Sequence, residues 1–178
     1  VRIEKNDLDV MSKIIVRDNG TGMEFAKAPE MFSKLGGSWK RSGSTTKKEG
    51  RFLHGQDGRG RFKVFGLGRV AEWDVTFQKD KSLSTFKITM TAANMKEVII
   101  SDEEEAPSGK AQGVVLTISE VHKDYRSLTS DAGMQELTEI FALYLANYKK
   151  VTIDIDSTRI DPTKIIASQG NVSLNDIN

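Results

Sequence analysis

The chain has 178 residues, 38% of them hydrophobic, which suits one globular domain with a sizeable core. Its 26 basic and 25 acidic residues nearly cancel, so bulk charge selects neither a nucleic-acid polyanion nor an anionic membrane surface as partner. The lack of cysteine excludes disulfides and thiolate metal sites, and no apolar run is long enough to cross a bilayer. A soluble, cytoplasmic protein is expected.

The chain opens on Val1 rather than methionine and alternates at once, which suggests that an upstream piece precedes it. Residues 1–5 and 11–16 read as a hairpin turning at Asn6 and Asp7. Residues 24–32 place Phe25, Ala28, Met31 and Phe32 at helical spacing, with Pro29 limiting regularity. Residues 33–57 are rich in Gly, Ser, Thr, Lys and Arg, and a loop of that length within a domain reads as a functional lid. Residues 59–70 suit a helix entered from a glycine turn.

Residues 71–78, 83–91 and 97–101 read as successive strands of an antiparallel meander. The acidic run Asp102 to Glu105, followed by Pro107 and Gly109, reads as a solvated loop before a strand at 114–121. Residues 131–148 carry Met134, Leu137, Ile140, Phe141, Leu143, Tyr144 and Leu145 on one broad face of an amphipathic helix. A last strand is expected at 151–156. Meandering strands without regular strand and helix alternation predict a two-layer α/β sandwich, helices covering one face.

Two runs carry chemistry. The first, Asp18-Asn19-Gly20-Thr21-Gly22-Met23, follows a buried strand. Asn-Gly there is also a common turn signal, so turn and site both stay open on this run alone. A partly desolvated aspartate at a strand end can accept a hydrogen bond from the exocyclic amino group of adenine. Guanine offers a carbonyl at that position and would leave the carboxylate unpaired. Gly20 and Gly22 let a base approach the backbone, and Met23 offers a polarizable surface to a ring face.

The second run extends from His54 to Gly68 and holds Gly55, Gly58 and Gly60 in a G-x-x-G-x-G spacing, with Arg59, Arg61 and Lys63 close by. Backbone N–H groups converging at a glycine-rich helix start can cradle phosphate. No Gly-Lys-Ser/Thr follows, so it is not a Walker loop, and it lacks the preceding strand of a dinucleotide-binding turn.

Together, Asp18-x-Gly20-x-Gly22-Met23 and Gly55-x-x-Gly58-x-Gly60 resemble the GHKL superfamily of gyrase B, the ninety-kilodalton heat-shock chaperone, histidine kinases and MutL. Residues 32–40 and 58–62 look most like bacterial chaperone-like and MORC-like ATPases. The resemblance implies a Bergerat fold over residues 1–161, a mostly antiparallel mixed sheet under helices on one face, with 162–178 as a tail or the start of a following segment. It implies that Asp18 binds the adenine amino group, that Gly22 and Met23 line the base, and that Gly55, Gly58 and Gly60 wrap the phosphates. Ser38 and Lys40 would act from the lid. Gly113 would open the strand beside the base, where Val114 replaces the usual threonine, with Thr117 too far along the strand to substitute.

The resemblance further implies ATP and Mg²⁺ as cofactors, with the Mg²⁺ ligand and the general base on a helix upstream of this chain. It implies nucleotide-driven lid closure, a nucleotide-dependent homodimer, ATP hydrolysis in the intact protein, and a protein client or DNA as partner. The competing expectations are a non-catalytic interaction domain that has lost nucleotide, and a protein-histidine kinase catalytic domain. His54 and His122 form no metal pair.

Overall fold

The computed structural model describes residues 1–33 and 60–166. The expected lid at 33–57 lies almost wholly outside them. Described contacts gather into two compact units, Val1–Asp124 and Tyr125–Asn178.

The first unit opens with the expected hairpin, β1 Arg2–Lys5 and β2 Met11–Arg17. The Asn6 side chain makes its turn, Oδ1 accepting the Leu8 and Val10 N–H groups at 3.0 Å each, while Asp9 takes a left-handed φ of 59°. A 3₁₀ turn, Phe25–Lys27, then leads into helix α1, Ala28–Ser33. Pro29 falls in the first turn of α1, where no intrahelical N–H is required.

The helix expected over 59–70 is shorter. Helix α2 spans Gly60–Lys63, a 3₁₀ turn follows at Val64–Gly66, and β3 already begins at Gly68. Strand pairing wins there. Gly68 faces Val121 across the sheet, and a Cβ on it would meet Ser119 O at 2.6 Å.

Strands β3 Gly68–Lys79, β4 Ser82–Thr91 and β5 Asn94–Ile100 form the expected meander. The acidic loop differs from expectation, because Glu104–Glu105 forms a short strand, β6, paired with Ser84 and Thr85. Lys79 Nζ binds Glu103 at 2.7 Å beside it, so the run is anchored at its charged end.

Strand β7, Gly113–Val121, inserts between β2 and β3. The order is β1-β2-β7-β3-β4-β5, with β6 on β4, and every described pairing is antiparallel. The molecule is thus α/β with a seven-stranded sheet and few helices.

Register and alternation sort the sheet into two faces. One carries Ile14, Ala71, Trp73, Val75, Phe77, Phe86, Ile88, Met90 and Ile118, all buried. Phe86, Ile88, Met90, Ile118 and Val75 are its largest wholly buried side chains, each worth about 1.5–3 kcal/mol in transfer from water. Phe25 meets Phe86 edge-on at 5.2 Å and Phe32 meets Trp73 at 5.1 Å, so the segment after β2 packs on this face. The opposite face is polar, with Glu72, Asp74, Thr85, Lys87 and Thr117 across neighbouring strands.

In the second unit, α3 spans Asp131–Asn147, and Ser130 caps it by accepting the Gly133 N–H at 3.1 Å. Thr138, Ala142 and Leu145 are its buried residues, whereas Ile140 and Leu143 are 63% and 69% exposed, so the apolar face is narrower than the sequence predicts. The expected strand at 151–156 shrinks to β8, Asp154–Ile155, paired with β9, Thr158–Arg159, around Asp156 at φ 49°. Asp161 then caps a 3₁₀ turn, Pro162–Lys164.

Candidate functional site

Asp18 follows directly on β2 and still belongs to the sheet's bonding, its N–H donating to Val114 O at 2.9 Å. Arg17 faces Val115, so Asp18 lies opposite Val114 on the apolar side of the sheet. Oδ1 of Asp18 accepts two backbone N–H groups, from Gly20 at 2.9 Å and from Val114 at 3.2 Å. No described residue donates to Oδ2. The carboxylate is therefore held by one oxygen and presents the other.

Two glycines make this approach possible. A Cβ on Gly113 would lie 2.2 Å from Asp18 O, and its φ of 138° is one that L side chains rarely adopt. A Cβ on Gly22 would lie 2.2 Å from Thr76 O, with φ at 66°. Gly113 thus lets β7 close on Asp18, and Gly22 lets the following loop lie on β3. Met23 is half-buried next to it.

One residue that the sequence did not single out completes the arrangement. Gln112 Nε2 donates to Thr21 O at 2.9 Å, tying the entry to β7 onto the Asp18 loop. A glutamine next to a glycine carries no distinctive pattern, so only the sheet order reveals it. Lys110, two residues earlier, binds Asp74 Oδ1 at 2.7 Å and Thr85 Oγ1 at 2.8 Å on the polar face.

The surroundings of Asp18 differ from expectation in one respect. The sequence predicts a partly desolvated carboxylate, whereas Asp18 is exposed, as are Asn19, Gly20 and Thr21. Thr117 lies three residues from Val114 and faces the polar side, opposite Glu72, so alternation as well as distance keeps it from the Asp18 corner. Val114 is therefore the side chain that β7 sets beside the carboxylate.

Of the second run, Gly60 opens α2, and a Cβ on it would meet nothing within 4 Å. Gly55 and Gly58, and the lid candidates Ser38 and Lys40, lie outside the described residues. The Arg61 guanidinium lies over two rings, its Cζ 5.1 Å from the Phe62 ring centroid and 5.5 Å from that of Phe32. Burial lowers its pKa from the ordinary guanidinium value. His122 bonds Phe65 O through Nε2 at 2.9 Å, and its backbone N–H donates to Leu67 O at 2.9 Å, so it fastens the turn after α2 to the end of β7.

Among the described residues, no three of His, Cys, Asp and Glu gather to hold a metal ion, and no helix is long and apolar enough to cross a membrane. A cleft of about 630 Å³ lies in the second unit, lined by Leu145, Val151, Ile160 and Ile166 among others, and contains none of the expected site residues. No protein-family model matches the chain, and comparison with curated proteins gives no match.

Proposed function

We propose that residues 1–161 form an ATP-binding domain of the Bergerat type, with helices as a second layer on the apolar face of the sheet. Asp18 Oδ2 accepts the adenine amino group, Gly20, Gly22 and Met23 border the base, and Gly113 opens the strand alongside. The phosphates fall to Gly55, Gly58 and Gly60, and Ser38 and Lys40 act from the lid. The observation that supports this most is the Asp18 carboxylate, fixed through Oδ1 by two backbone N–H groups with Oδ2 presented. An acceptor preset in this way loses little freedom on meeting a donor.

In the intact, cytoplasmic protein, nucleotide would close the lid, drive dimerisation and be hydrolysed in chaperone-like or DNA-linked work. No general base and no Mg²⁺ ligand is assigned to residues of this chain. A second reading, an interaction domain that no longer uses nucleotide, is favoured by Val114 where the resembled family has threonine and by the exposure of Asp18.

Calorimetric titration with ATP and with inosine triphosphate, which carries a carbonyl in place of the amino group, separates the two. ATP is expected to bind saturably and inosine triphosphate about tenfold or more weakly, the cost of an unpaired carboxylate. Equal affinities contradict the role of Asp18, and no heat at millimolar ATP favours the interaction domain.

A further inference from the structure

The two runs expected to form one site are far apart in sequence, and the described residues contain a bridge between their flanking elements. Helix α1 follows the Asp18 loop, and α2 carries the last glycine of the second run. Phe32 of α1 is 7% exposed and packs edge-on against Trp73 of β3 at 5.1 Å, so it is fixed to the sheet. Arg61 of α2 places its guanidinium over that same ring at 5.5 Å, and over Phe62 of its own helix at 5.1 Å.

We propose that Arg61 is a positioning residue that locks the helix after the glycine run onto the helix after the Asp18 loop through Phe32, instead of binding phosphate as its place in a basic run suggests. Sheet, base-side helix and phosphate-side helix are thereby joined in the series Trp73, Phe32, Arg61. A guanidinium stacked on an aromatic ring is held by the ring quadrupole as well as by packing. Lysine retains the charge without the broad guanidinium face, so it restores part of the bridge. Lys63, exposed on α2, remains placed to attract an anion.

This inference rests on the nucleotide-site reading for its consequence and on the guanidinium's place over the two rings for its structure, and the test separates them. Amide hydrogen exchange is compared for the protein and for Arg61→Ala and Arg61→Lys without nucleotide. The affinities of adenosine and ATP are then measured at low and high salt. Arg61→Ala is expected to speed exchange in residues 28–33 as well as 60–66 and to leave adenosine affinity within about twofold. ATP affinity should fall about tenfold at both salt concentrations. Arg61→Lys should recover part of each loss; if the alanine variant does not fold, Arg61→Gln takes its place.

Unchanged exchange at 28–33 in Arg61→Ala overturns the bridge. A loss of ATP affinity that disappears at high salt, with exchange unchanged, identifies Arg61 as a phosphate ligand and also overturns it. If no form of the protein binds ATP, the nucleotide reading fails while the exchange arm still decides whether Arg61 joins the helices.

Discussion

Asp18 and Val114 are 96 residues apart in sequence and bonded twice, the Asp18 N–H to Val114 O at 2.9 Å and the Val114 N–H to Asp18 Oδ1 at 3.2 Å. The pairing arises because β7 inserts between β2 and β3. It converts a flexible turn after a strand into a carboxylate with one fixed and one presented oxygen.

The closeness of that pairing predicts a contrast among glycine substitutions. Gly113→Ala places a Cβ 2.2 Å from Asp18 O, an approach that backbone cannot relieve without moving the strand end. The expected destabilisation is about 2–4 kcal/mol by urea denaturation. Gly109 also has a positive φ, 84°, but a Cβ there meets nothing within 4 Å. Gly109→Ala should therefore cost only the conformational term, about 1 kcal/mol. Equal costs would show that crowding at Asp18 is not what selects glycine at 113.

Lys110 and Lys87 both pair with acidic residues of β3, and burial predicts different returns. Lys110 and Asp74 each have side chains 28% exposed, and Lys110 also reaches Thr85, whereas Lys87 and Glu72 are 55% and 40% exposed. Lys110→Met should lower stability by about 1–2 kcal/mol, since Asp74 and Thr85 lose a charged donor. Lys87→Met should stay within about 0.5 kcal/mol. Thermal unfolding of the two variants side by side checks the difference.

The β8 and β9 hairpin should lose stability in acid. Arg159 donates to Asp154 at 2.8 Å, and this hydrogen bond lowers the Asp154 pKa from its ordinary value. A carboxylate with a lowered folded pKa adds stability that is fully present above the unfolded value of about 3.9 and fades as pH falls through the folded value. Hydrogen-exchange protection in residues 154–159, taken relative to the intrinsic rate at each pH, should therefore fall below about pH 4, and Asp154→Asn should flatten that dependence. A pH-independent hairpin in the unmodified protein would contradict it.

The strands were legible because alternation is a local property: 71–78, 83–91 and 114–121 each fall within an observed strand. Their order was not, since nothing local to β7 says that it will separate β2 from β3. The role of Gln112 is illegible locally for the same reason, its partner Thr21 being 91 residues away. Glu104 and Glu105 read as loop because two acidic residues carry no alternation, yet β4 offers them an edge to pair with. The helix expected over 59–70 is shorter because a glycine turn followed by apolar residues signals a helix start but not its end, and pairing of Gly68 with Val121 begins the strand sooner.

The proposed nucleotide site depends most directly on the second oxygen of Asp18, and Asp18→Asn removes that acceptor while leaving a carbonyl oxygen for the Gly20 and Val114 N–H groups. The decisive measurement is calorimetric titration of ATP into the protein and into Asp18→Asn, with circular dichroism to verify that both are folded. Saturable binding by the protein, abolished or weakened at least about tenfold in a folded Asp18→Asn, is the expected result. Equal binding by both, or none by either, would contradict an adenine site at Asp18.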